Sequence, residues 1–338
     1  MLILRDFKSS NFVRQLSLDN KYGSEYTALI MKTKQSIPKE LRYTVNQFHA
    51  EFPDDDSCLE YIKEQRWPDG ITHCEKCGQE RKHHRVSGRT AFACDHCGNH
   101  IYPLAGTIFE KTTTPLKTWF YAMYLMGSTR CGISAKQIQR ETGVTYKTAW
   151  RIFNQVRKLL AEPEDMQLEG STIEMDEMYH GGKRRRQGGQ GRPSHGSHKV
   201  AVIGMVERST ANRPGRVIAR VAENARRDTL HGLAKEYILP GSTVFTDDYV
   251  SYDGLEKHGY VHKRIRHSAK IYVSGDIHTQ AIEGFWSLVK RGIGGVYHNV
   301  SAKMLQSYLD EYAFRYNRRH MGNQQFRAIL SRVSERAS

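Results

Sequence analysis

The chain has 338 residues, of which 38% are hydrophobic and 26% charged, and a formal net charge of +15 at pH 7. No run of about 18 or more apolar residues occurs, which argues against a membrane span, and MLILRDFKSSNF lacks the apolar core and cleavage site of a secretory leader. A cytoplasmic protein of two or three compact domains is expected, and its positive excess favours nucleic acid, because Lys and Arg that neutralise phosphates release condensed counterions.

Residues 1–47 are mixed and Ser/Lys-rich, without a sustained period, and read as an extension. Beyond Phe48, Asp54-Asp55-Asp56 opens a helix through Cys58, Leu59, Tyr61 and Ile62, since acidic side chains oppose the positive end of a helix dipole. Trp67-Pro68-Asp69-Gly70 then makes a turn. Cys74-x2-Cys77 and Cys94-x2-Cys97 follow, sixteen residues apart, each pair trailed by a glycine, Gly78 and Gly98. Two thiolates on one tight knuckle reach a single metal, and two knuckles complete a tetrahedron, so residues 48–110 read as a helix and a zinc ribbon with a structural Zn²⁺. His73, His83, His84, His96 and His100 are then not needed as ligands. Cys58 and Cys131 read as small buried hydrophobes.

Residues 111–162 look helical. Ser134-Ala-Lys-Gln137 reads as a capping box opening a helix to Thr142. Gly143 turns the chain, and Thr145 caps a second helix bearing Tyr146, Lys147, Thr148, Arg151 and Asn154 among the apolar Ala149, Trp150, Ile152, Phe153 and Val156. Ile133, Ile138 and Val144 would pack the two together. This is the layout of a DNA-reading helix-turn-helix; an ordinary helical hairpin with a glycine turn is the alternative.

From Ser171 strands and helices alternate. Strand-like Thr172-Ile-Glu-Met175 leads into Asp176, strands are expected at 200–206 and 216–222, a helix at 226–238, and a further strand ends at Asp247. Thirty-five residues separate Asp247 from Glu283, which lies in a helical run, Ala281–Lys290. Three strands, a helix and a further strand give the order of a ribonuclease-H-like α/β domain with a mixed sheet, assigned to 171–320, with 321–338 as a C-terminal tail. Carboxylates at two strand ends and on a packed helix can converge if cations relieve their repulsion, and Mg²⁺ (or Mn²⁺) suits such oxygen ligands. Lys290, two helical turns after Glu283, shares nearly its face and can hold a phosphate, with Arg291 beside it. Trp286 reads as core or as a base-stacking side chain. Glu177, Asp248 and Asp276 are competing acids. Lys183, Arg184, Arg185, Arg186, Arg192 and Lys199 accumulate among glycines without an intervening acid, which reads as a basic loop on the DNA backbone or as a solvated loop.

Across about residues 48–320 the chain resembles the zinc-ribbon (ISXO-like) group of bacterial insertion-sequence transposases of the DDE type. The resemblance rests on Phe52-Pro-Asp54, Arg66-Trp-Pro-Asp-Gly70, Glu174-Met-Asp-Glu177 with Gly181-Gly-Lys183, and Thr246-Asp247. It rests also on His278-Thr279, Glu283-Gly-Phe-Trp286 with Lys290-Arg-Gly292, and His298-Asn-Val-Ser301. It implies that Asp176, Asp247 and Glu283 are the catalytic acids and metal ligands, and Lys290 the accessory cation. Gln280 stands where many relatives place Asn. The resemblance further implies binding to terminal inverted repeats, metal-dependent cleavage and strand transfer into target DNA, and homo-oligomers on DNA at the bacterial nucleoid. A DNA-binding regulator that no longer cuts and a structure-selective nuclease are the alternatives.

Overall fold

The structure, a computed structural model, describes residues 41–169, 172–181, 199–210, 213–265 and 279–334. Two short helices open it, α1 (Val45–Glu51) and α2 (Asp55–Arg66), capped by Thr44 with Gln47 and by Asp54 with Ser57. In each case the side chains satisfy backbone donors that the first helical turn leaves free. α1 begins inside the stretch assigned to the extension. Short antiparallel strands then form the ribbon: β1 (His73–Cys74) pairs with β2 (Gln79–Glu80), and β4 (Phe92–Cys94) lies between β3 (His83–Arg85) and β5 (His100–Ile101).

Helices α3 (Leu116–Ser128), α4 (Ala135–Thr142) and α5 (Tyr146–Lys158) follow. Gly143 takes φ 71° between α4 and α5, a left-handed value that costs glycine little. Ser134 accepts a hydrogen bond from the Gln137 amide, but the Gln137 side chain turns to Glu141 rather than back to the cap. The box is half formed, because an i,i+4 acceptor competes for the Gln137 amide group.

A five-stranded sheet has the order β10-β9-β6-β7-β8, made of β6 (Thr172–His180), β7 (Val200–Glu207), β8 (Val217–Ala222), β9 (Thr243–Thr246) and β10 (Val261–Arg264). The pairings β6–β7 and β7–β8 are antiparallel, and β6–β9 and β9–β10 parallel. Helix α6 (Arg227–Tyr237) links β8 to β9, and α7 (Gln280–Gly292), α8 (Leu305–Asn317) and α9 (Gln325–Leu330) complete the chain. The domain is thus mixed α/β with a mixed sheet.

Strand alternation sorts the two faces. Ile173, Met175, Ile203, Met205, Ile218 and Val244 pack with Leu230 and Ala234 of α6. Met178, Val202, Val206, Val217 and Ala219 face the other way, into a core shared with α7, α8, α5 and α1. That second core does not stop at the expected domain borders. Phe326, Ile329, Leu330 and Val333, from the stretch read as a tail, are buried in it, and a Cβ on Gly127 would lie 2.7 Å from the Phe326 amide nitrogen. An apolar i, i+3, i+4 pattern on so short a helix becomes meaningful only when a partner surface covers it.

Candidate functional site

The Sγ atoms of Cys74, Cys77, Cys94 and Cys97 all lie within 4.8 Å of one another. They are the one group of three or more such ligands gathered so closely among the described residues. Gly78 and Gly98 take φ 65° and 66°, and their amides donate to the carbonyls of Cys74 and Cys94, closing both knuckles. The Cys77 amide stabilises the Cys74 thiolate and brings its pKa down to about 6. Soft, ionisable donors in a closed tetrad fit structural Zn²⁺ and leave no open position for a substrate. Arg85 ties the ribbon to α2 through Asp56 (2.7 Å), and Lys63 of α2 lies 5.0 Å from the centre of the Phe92 ring.

The acids sit where β9 stops and β6 continues. Asp176 is in the middle of β6, not at its end as the sequence pattern suggested: pairing with β7 runs on to His180, while pairing with β9 ends at Glu174. The antiparallel neighbour keeps Asp176 and the residues after it in the sheet. Asp247 follows the last residue of β9 directly, and extending the parallel register sets it opposite Asp176. The Asp247 carboxylate accepts the Tyr249 amide at 3.0 Å. Burial, the neighbouring Glu177 and the charge on Asp247 together push the Asp176 carboxyl up to about 7. The Trp286 indole counters part of this by donating to Asp176 Oδ2 at 2.9 Å.

Glu283 and Lys290 are exposed on α7 while Trp286 and Val289 between them are buried. The three carboxylates of Asp176, Asp247 and Glu283 are not drawn within 4.8 Å of one another. Glu177 points to the opposite face, where it accepts a hydrogen bond from the buried Tyr252 hydroxyl at 2.8 Å. Trp286 is core, but its ring nitrogen also orients Asp176. Gly204, opposite Asp176 on β7, leaves room for it: a Cβ there would stand 2.5 Å from Trp286 Cζ2.

On α5, Tyr146, Lys147 and Arg151 are exposed and Thr148 half-buried, bonded to its cap Thr145. Trp150, grouped with the apolar face by sequence, is 38% exposed and stacks with Tyr146 (6.3 Å), whose ring also lies 4.5 Å from Lys136 Nζ. A helix read on its own does not disclose which side its partners leave open. Lys183, Arg184, Arg185, Arg186, Arg192, Asp276 and His278 lie outside the described residues. No helix among the described residues is long and apolar enough to cross a membrane.

The family model of the ISXO2-like transposase domain matches residues 167–317, and that of the transposase zinc-ribbon domain matches residues 53–100. The chain therefore carries an ISXO2-like transposase domain and a transposase zinc-ribbon domain. It is 29% identical over 264 residues to an uncharacterized protein in transposable element ISH50 of Halobacterium salinarum, covering 74% of this chain and 86% of that one. It is 28% identical over 109 residues to an uncharacterized transposase-like protein of Haemophilus influenzae, covering 32% of this chain and 87% of the other.

Within this ISXO2-like domain, the sequence reading overlooked several residues that shape the acid site. Gly204 and Tyr252 carry no local signal, because their neighbours are distant in the chain. Glu174 did carry one: it is an acid between the apolar Ile173 and Met175, two residues before Asp176 and therefore on its face. Its side chain is fully buried.

Proposed function

We propose that this transposase binds the terminal inverted repeats of its element and catalyses DNA cleavage and strand transfer through Asp176, Asp247 and Glu283. One observation carries the reading. Asp176 stands on β6 and Asp247 directly after the adjacent β9, with the pKa of the Asp176 carboxyl pushed up to about 7 by burial and like charge, an arrangement that a divalent cation would relieve. Hard oxygen donors of this kind fit Mg²⁺ or Mn²⁺. Bound there, such ions would supply Lewis-acid activation of the attacking oxygen and stabilisation of the leaving one during in-line phosphoryl displacement.

The chain's own groups have separate tasks. Asp176 is held in orientation by Trp286, Asp247 by the Tyr249 amide, and Glu283 is presented on α7. Lys290 and Arg291, exposed two turns further along α7, would hold a phosphate of the DNA end. The strand order β10-β9-β6-β7-β8, with its three antiparallel strands followed by a crossover helix and parallel strands, supports a ribonuclease-H-like reading of the domain. The pair α4–α5 serves as the helix-turn-helix, with Tyr146, Lys147, Thr148 and Arg151 directed to the major groove. Lys183, Arg184, Arg185 and Arg186 contact the backbone beside the cut. Water attacks first and frees a 3′-hydroxyl; that hydroxyl then attacks target DNA, with a homo-oligomer pairing two ends in the cytoplasm.

The test is a strand-transfer assay on the element's ends with Mg²⁺ or Mn²⁺. Wild type should cut and join, while Asp176→Asn, Asp247→Asn and Glu283→Gln should each lose at least ~1,000-fold yet still shift the DNA. A wild-type protein that shifts the ends and never cuts them is a regulator. Cleavage of branched DNA regardless of end sequence makes it a structure-selective nuclease.

A further inference from the structure

We propose that Glu174 is a positioning residue that sets where Glu283 stands relative to Asp176, by capping α7 from the neighbouring strand. Its Oε2 accepts the amides of Ala281 (2.8 Å) and Ile282 (3.0 Å), the second and third residues of α7. The helix has no cap of its own: Thr279, at the capping position, accepts no backbone amide of the first turn with its side chain and donates instead to Glu283 Oε1 at 3.2 Å. The amides that a local Ser, Thr or Asp would satisfy are thus satisfied from β6. Oε1 of Glu174 accepts Arg208 Nε at 2.7 Å, so the buried carboxylate is held between a guanidinium and the positive end of a helix.

The consequence for the site is geometric. Glu174 and Asp176 are two residues apart on one strand, so they share a face and are separated by a rigid ~6.6 Å. Glu283 follows Ile282 directly. One carboxylate therefore sets the start of the helix carrying the third acid, against the strand carrying the first. Trp286 makes the second attachment, to Asp176 itself. Two points fix both the position of α7 along β6 and its rotation. A residue that orients metal-ligating groups from behind is worth ~10–100-fold in metal affinity or activity.

This inference rests on the Asp-Asp-Glu reading, and the experiment separates the two. Glu174→Gln, Glu174→Asp and Glu174→Ala are compared with Glu283→Gln in full-length protein. The readouts are Mn²⁺ affinity by electron paramagnetic resonance, amide exchange at Ala281 and Ile282, and gel shift of the DNA ends. Glu174→Gln keeps an acceptor at the right reach for the two amides, at a cost in overall stability because Arg208 loses this carboxylate, whereas Glu174→Asp keeps the charge but is one methylene short. Expected are Mn²⁺ affinity ~10–100-fold weaker and fast exchange at both amides for Asp and Ala, near-wild-type values for Gln, and unchanged gel shifts for all. If Asp is folded and shows wild-type Mn²⁺ affinity and slow exchange, the inference is overturned alone. If Glu283→Gln leaves Mn²⁺ binding unaltered, the Asp-Asp-Glu reading falls and takes this inference with it. Should Ala fail to fold, the Asp and Gln pair still decides.

Discussion

Replacing Asp176 by Asn should make the protein more stable without magnesium while abolishing its chemistry. The side chains are nearly isosteric, and the Asn carbonyl can still accept the Trp286 indole N–H. What changes is charge. Raising the Asp176 carboxyl from its ordinary 3.8 to about 7 means that ionised Asp176 costs the fold about 4 kcal/mol at pH 8. The sign follows from proton binding. Between about pH 4 and pH 7 the native state holds a proton that the unfolded chain has released, so wild type loses stability as pH rises through that window and no more above it. Asn has no such dependence. The advantage of the variant should therefore be about 4 kcal/mol at pH 8 and fall to about 2 kcal/mol at pH 5. Urea denaturation followed by tryptophan fluorescence in magnesium-free buffer measures both. Added Mg²⁺ should stabilise wild type by mass action and leave the variant unmoved. A variant no more stable than wild type at pH 8, or an advantage independent of pH, would refute the electrostatic reasoning.

Trp286→Phe removes the donor that holds Asp176 down, so the acid limb of the pH–cleavage profile should move to higher pH, measured in single-turnover reactions. Gly204→Ala forces a Cβ to within 2.5 Å of Trp286 Cζ2 and 2.7 Å of Ile282 Cδ1; overpacking of this kind costs about 1–3 kcal/mol, readable as a lower urea midpoint. Glu311→Gln leaves Arg157 and Arg315, both buried and paired to it, with uncompensated charge, and should lose about 3–5 kcal/mol in the same assay. Cys77→Ser should abolish release of one zinc per chain to a colorimetric chelator and leave residues 73–101 unprotected in hydrogen exchange, because so few residues lack a core of their own.

Sequence was informative wherever chemistry is local. The spacing of four cysteines, the helix opened by the acidic Asp54-Asp55-Asp56, the glycine turn at Gly143 and the strand β7 all depend on neighbours within a few positions, and each is where the pattern put it. Long-range pairing decided the rest. Asp176 lies inside β6 because β7 continues beside it. Trp150 faces outward because the other side of α5 meets the core, and α9 is structural because α3 covers it. The proposed site likewise combines a strand from one end of the domain with a helix more than a hundred residues away. Hydrophobic period and turn chemistry are properties of short segments, so they specify elements. Which buried carboxylate caps which helix is a property of the packed sheet, and Glu174 at the start of α7 became visible only there.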